Sequence, residues 1–113
     1  MPGRLWMLSI MANILVEKKY LDEIISIIKR IYPKAVVWAY GSRTDGTAHE
    51  GSDLDLVVKE YGQDCADLFE LKEEFEKSNI PFLIDIFEFD KLPESFQKEI
   101  KNNYVVIYDE KVK

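Results

Sequence analysis

The 113-residue sequence predicts an α/β (α+β) fold in which helices pack on a mixed β-sheet. Two patterns carry that expectation: three segments place apolar residues at helical spacing, and four short runs rich in Val, Ile, Tyr and Phe alternate with them. The order helix, strand, strand, helix, strand, helix, strand suits a sheet with helices packed on one side. A chain of this length builds one core and has no room for a separate substrate-binding domain.

In chain order, Ile14, Leu15, Leu21, Ile24, Ile25, Ile28 and Ile31 recur at helical spacing and Pro33 stops the pattern, so an amphipathic helix is expected over about 13–31. Ala35 to Tyr40 reads as a buried strand, and the polar segment from Ser42 to Ser52, with two glycines, as a loop. Asp53 to Val58 is the next strand. Asp64 to Lys77 reads as a helix with Leu68, Leu71 and Phe75 inward and Asp64 as its N-cap. Phe82 to Phe89 is the third strand. Pro93, followed by Phe96 and Ile100, predicts a short helix ending near Asn102 or Asn103, and Tyr104 to Tyr108 a short strand at a sheet edge.

Composition excludes several classes. Asp and Glu number 21 against 15 Lys and Arg, for a net charge of −6, and no five-residue basic run appears. Tight binding to a long nucleic-acid backbone needs clustered cations, so it is not expected; one nucleotide carried with magnesium is compatible. Cys65 is the sole cysteine, which rules out an intramolecular disulfide and a multi-cysteine zinc site and makes the cytoplasm the default address. No run approaches the roughly 20 apolar residues that span a bilayer. LWMLSIMA near the N-terminus is too short for a signal-peptide core and is followed by no small-residue cleavage site. With Met1, Met7 and Met11 as possible starts, residues 1–11 are expected to be a disordered extension ahead of a single domain over 12–113.

The chemistry is concentrated in VVWAYGSRTDGTAHEGSDLDLVVK, from Val36 to Lys59. An apolar run ends in Gly41-Ser42, a polar segment follows, and a second apolar run opens with Asp53 and Asp55. Residues two apart on a strand share a face, so the two carboxylates point one way while Leu54, Leu56 and Val58 point toward a core. Such close acids repel, and a divalent cation between them is the simplest remedy. In FLIDIFEF, Asp85 shares its face with Leu83, Phe87 and Phe89, which predicts a lone, buried carboxylate in an apolar stripe. If its strand lies beside Asp53 to Val58, three carboxylates converge into a site for one or two magnesium ions. His49 in the polar loop reads as solvent-exposed.

Gly41-Ser42, the intervening segment, Asp53-Leu54-Asp55 and the later Asp85 together resemble the nucleotidyltransferase fold shared with DNA polymerase beta, in particular its minimal nucleotidyltransferase branch. The resemblance covers roughly residues 12–108. It implies that Asp53, Asp55 and Asp85 are both the catalytic acids and the ligands of two Mg2+ ions, one readying an attacking hydroxyl and the other holding the triphosphate. It further implies nucleotide binding by the backbone at Gly41, the Ser42 hydroxyl and the Arg43 guanidinium. Ser52, beside Asp53, joins the nucleotide-binding set or caps the loop.

Larger members of that family carry an added helical domain, and this chain has none. The resemblance therefore implies a separate helical partner of the HEPN or substrate-binding type, joined in a hetero-oligomer. This chain would be an antitoxin that moves AMP from ATP onto a tyrosine of a HEPN toxin. The alternatives are a transferase for a small hydroxylated molecule such as an aminoglycoside, completed by a partner subunit, and a non-catalytic toxin-binding module. Tyr32, Trp38, Phe89 and the Tyr104 to Tyr108 segment are candidates for either partner contact or core.

Overall fold

The structure is a computed structural model and describes residues 16–41 and 53–110. The expected N-terminal extension over 1–11 lies outside these residues, as does most of the segment between the first two strands. Helix α1 (Lys18–Ile31) buries Leu21, Ile24, Ile27 and Ile28, a stripe at three- and four-residue spacing, and Ile24 and Ile28 are fully enclosed. It begins later than the pattern predicts, because Glu17 has extended backbone. Lys29 and Arg30 in its last turn oppose the negative end of the helix dipole. The chain then turns at Pro33, which disfavours helix in the residue before it.

Four strands follow: β1 (Val36–Tyr40), β2 (Leu54–Glu60), β3 (Ile84–Glu88) and β4 (Tyr104–Asp109). They form one sheet in the order β3-β2-β1-β4, with β1 antiparallel to both its neighbours and β2 parallel to β3. The sheet is therefore mixed, as expected, with β4 at one edge and β3 at the other. Between the parallel strands runs helix α2 (Phe69–Lys77), with Leu71 and Phe75 buried. α1 and α2 cover one face, where Val37, Ala39, Leu54, Leu56, Val58, Ile86, Val105 and Ile107 complete the main core.

Three local expectations are corrected. Asp64 does not cap α2. Gly62 and Cys65 both hold left-handed backbone, at φ +77° and +58°, which interrupts a right-handed helix, and Asp67 Oδ1 instead accepts the Phe69 amide at 3.0 Å. β3 stops at Glu88, because Phe89–Lys91 forms a 3-10 turn that folds Phe89 inward. The helices do not all lie on one side: α3 (Glu94–Asn102) packs on the opposite face, where Ile100 joins Tyr40, Val57 and Phe89, flanked by Trp38, Leu92 and Phe96. Gln97 Nε2 donates to the carbonyls of Phe89 and Leu92, both at 3.0 Å, and fastens α3 to the turn before it.

Of the aromatic residues with two readings, Tyr32 and Phe89 are buried in the core. Trp38 is half-buried, and the exposed Tyr104 stacks on it at 4.0 Å between ring centroids. Among the described residues no helix is long and apolar enough to cross a membrane.

A polar network joins the far ends of these elements. Tyr32 Oη donates to the Asp67 carbonyl at 2.7 Å and accepts the Asp67 amide at 3.0 Å, and its ring meets Tyr61 edge-on at 4.9 Å. The Tyr61 hydroxyl donates to Glu88, which also pairs with Lys91 Nζ at 2.8 Å. Lys91 first, and then Tyr61, hold the Glu88 carboxyl below its ordinary value of 4.5. The folded state thus binds fewer protons at this group than the unfolded chain. The stabilisation is complete above the ordinary value and is lost as pH falls through the lowered one. We expect the urea midpoint of the wild type to fall more steeply on acidification below pH 4.5 than that of Glu88→Gln. Parallel pH profiles for the two proteins would contradict the assignment.

Candidate active site

The strand register aligns the site residues in one row across the sheet. Tyr104 on β4 lies opposite Tyr40 on β1, Tyr40 opposite Asp55 on β2, and Asp55 opposite Asp85 on β3. All four share the face that carries α3, because Leu54, Leu56 and Ile86, their alternating neighbours, are buried under α1 and α2. The next row, Val106, Trp38, Val57 and Phe87, enters the second core at Val57, and the first row enters it at Tyr40, while Asp55 beyond Tyr40 is only half-buried and Asp85 is exposed.

Asp55 is half-buried, whereas Asp53 and Asp85 are exposed. This corrects the expectation of a buried Asp85: the apolar stripe around it faces outward too, with Leu83 at 69% and Phe87 at 42% exposure. β3 is an edge strand, and among the described residues no helix covers that side of it. Burial raises the Asp55 carboxyl above its ordinary value, and the charges of Asp85 and Asp53 raise it further. The same surroundings push the Tyr40 hydroxyl up to about 12, again by burial first and then by Asp55 and Asp85. Tyr40 therefore stays protonated beside the acids.

The three acids do not close into a cage. Among the described residues, no three His, Cys, Asp or Glu side chains stand close enough together to hold a metal ion. Asp55 and Asp85 form a directly opposed pair, and Asp53 acts on Asp55 through its charge. The donor chemistry still suits magnesium, a hard cation that is commonly held by one or two carboxylates together with substrate phosphates. A cation there would also relieve the repulsion that raises Asp55.

Gly41 ends β1 with φ +88°, in the left-handed region. The backbone conformation itself favours glycine, and a Cβ at this position would lie 2.4 Å from Asp55 Oδ2 and displace the carboxylate. The glycine of the Gly41-Ser42 motif thus makes room for the central acid. Ser42, Arg43, His49 and Ser52 lie outside the described residues.

Sequence reasoning did not single out Tyr40 or the wall beside it. A cleft of about 430 Å³ adjoins Asp55 and Gly41 on the side away from Asp85, lined by Tyr40, Phe96, Ile100, Glu99 and Asn103. The last four recur at the spacing of one helix face, a signal present in the sequence of which only Phe96 and Ile100 were used.

The comparisons with known proteins agree with this geometry. The family model for "Polymerase beta, Nucleotidyltransferase" matches residues 22–113. The Haemophilus influenzae "Probable protein adenylyltransferase MntA" is 36% identical over 85 residues, covering 74% of this chain and 75% of that protein. Similar folds include a toxin-antitoxin crystal structure with AMP-PNP, at TM-score 0.64 and 19% identity over 79% of this chain and 73% of the other. Another is the toxin-antitoxin MntA-HepT, at TM-score 0.60 and 14% identity over 82% and 73%. The family match over most of the chain and the acids aligned beside the Gly41 turn have one reading: this chain belongs to the polymerase beta family of nucleotidyltransferases.

Proposed function

We propose that this chain is a magnesium-dependent adenylyltransferase that moves AMP from ATP onto a tyrosine hydroxyl of a HEPN-type toxin, and so acts as a cytoplasmic antitoxin in a hetero-oligomer with it. The observation that carries the reading is the opposed pair Asp55 and Asp85 beside the glycine turn at the end of β1. Support for the acceptor comes from the adenylyltransferase relative and from the toxin-antitoxin structures of the same fold, one of them with AMP-PNP. The net charge of −6 suits docking on a basic surface.

In this reading the opposed Asp55 and Asp85, together with Asp53, would hold magnesium, which would supply charge neutralisation at the triphosphate and a lowered pKa at the attacking hydroxyl. Gly41 lets the backbone approach the phosphates, with Ser42, Arg43 and Ser52 as their side-chain contacts. The acceptor oxygen bonds to the α-phosphorus, the bond from that phosphorus to pyrophosphate breaks, and the hydroxyl proton passes to Asp85 or to water beside it. Asp85 suits that task because it is exposed at the sheet edge, where an acceptor carried by a large partner can reach it.

The test is intact-protein mass spectrometry of a HEPN partner incubated with this chain, magnesium and each nucleoside triphosphate in turn. The expected result is addition of one or more AMP units with ATP. Tight partner binding without any mass increase would overturn the reading and favour occlusion, and turnover on a free hydroxylated compound alone would favour a small-molecule acceptor.

Asp55→Asn separates catalysis from folding. A carboxyl raised in the folded state is a group whose ionisation opposes folding, so stability declines as pH rises through the raised value and stays reduced at neutral pH. The neutral side chain removes that cost. We expect Asp55→Asn to lower transfer by at least about a hundredfold while raising the thermal midpoint at pH 7, with the gain vanishing below the ordinary value of 3.8. A lower midpoint at pH 7 would contradict the electrostatic account.

A further inference from the structure

We infer that the cleft between the end of β1 and α3 receives the nucleoside portion of the donor nucleotide, with Asn103 and Glu99 as its specificity contacts. The inference rests on the nucleotidyltransferase reading of the acidic row. It adds where the sugar and base lie and which residues choose among them.

Position comes first. The cleft shares two of its lining residues, Gly41 and Asp55, with the acidic site, so a molecule bound at the acids reaches it without leaving the surface. Along the row of opposed residues it lies on the Tyr40 side of Asp55, and Asp85 on the other. An acceptor that gives its proton to Asp85 approaches from the β3 edge, which leaves the Tyr40 side to the donor.

Chemistry then decides which part of the donor enters. Among the described residues that line the cleft none is Lys or Arg, and two, Asp55 and Glu99, are acids. A pyrophosphate group would be repelled there, whereas an uncharged, planar group would not. The walls suit such a group: the Tyr40 and Phe96 rings meet edge-to-face at 5.8 Å, and Tyr40 and Ile100 are buried at the floor. At about 430 Å³ the cleft falls in the range of small-molecule sites.

The rim supplies the polar contacts. Glu99, in the last turn of α3, and Asn103, its C-cap, are both exposed and both line the cleft. An Asn side chain offers one donor and one acceptor in a plane, the pairing that reads the amino and ring nitrogens of adenine. The Glu99 carboxylate accepts only, which suits ribose hydroxyls or an exocyclic amine. The backbone amide of Asn103 caps α3 through the Ile100 carbonyl, so replacement of its side chain leaves that bond in place.

Two variants test the inference, Asn103→Ala and Glu99→Gln. For each, with the full chain, magnesium and a HEPN partner, we would measure KM and kcat for all four nucleoside triphosphates. In parallel, isothermal titration would give the affinity for a non-hydrolysable ATP analogue, with the thermal midpoint as a folding control. Loss of one hydrogen bond to an uncharged group predicts that Asn103→Ala raises KM for ATP and weakens the analogue at least about fivefold. Its kcat at saturating ATP and its KM for the partner should stay unchanged, and its preference for ATP over the other nucleotides should shrink. Unchanged nucleotide KM and affinity in both variants, with an active wild type, would overturn the inference alone. So would an increase confined to the KM for the partner, which would make the cleft an acceptor site. A wild type that binds no analogue would instead overturn the nucleotidyltransferase reading of the site, and the inference with it.

Discussion

The parallel pairing of β2 with β3 is the constraint on which the remaining structure depends. It sets Asp55 directly opposite Asp85. At 4 Å two unit charges repel by about 1 kcal/mol in water and about 4 kcal/mol at the effective dielectric of a protein surface. The exposure of Asp85 lets water screen its charge and weakens its repulsion of Asp55. What holds the strands in register is the reverse face. Leu54, Leu56 and Ile86 are buried there at 0%, 0% and 1% exposure, under a connection in which α2 carries the chain from one parallel strand to the next. A slip of one residue would turn these apolar side chains to solvent and the acids into the core. Burial on one face thus fixes an unfavourable contact on the other.

The two faces of the sheet have different tasks. α1 and α2 close the first with the main core, whereas α3 covers only part of the second, over Tyr40, Val57 and Phe89. The acidic row sits at the boundary between covered and open sheet. Asp55 is therefore buried enough for its charge to be costly, yet a substrate can reach it. Gly41 belongs to the same arrangement. Its left-handed backbone, at φ +88°, favours glycine, and a Cβ there would displace the Asp55 carboxylate from its place beside the end of β1.

Much of this was legible in the sequence, for identifiable reasons. The spacing from Gly41 to Asp53 and Asp55, and the alternation of those acids with Leu54, Leu56 and Val58, reflect period-two geometry that every strand obeys. Asp85 was placed on the right strand but given the wrong environment. Leu83 and Phe87 beside it suggested burial, and only the sheet order reveals that β3 is an edge strand on which both are exposed. The late start of α2 was hidden because apolar spacing says nothing of the left-handed backbone at Gly62 and Cys65. The position of α3 was hidden because Phe96 and Ile100 specify an apolar stripe but not the face of the sheet that receives it. Tyr40 looked like a core residue, which it is. Its place opposite Asp55 follows from pairing across strands, and a single sequence does not state that.

The central claim is that Asp55 and Asp85 act together as the carboxylate pair of a magnesium-nucleotide site. Its most direct test is magnesium-dependent binding of a non-hydrolysable ATP analogue to the wild type, Asp55→Asn, Asp85→Asn and the double variant. The account predicts that each single variant loses the magnesium dependence and that the double variant loses little more, since either change breaks the same pair. Magnesium-dependent binding that survives in both single variants would contradict it.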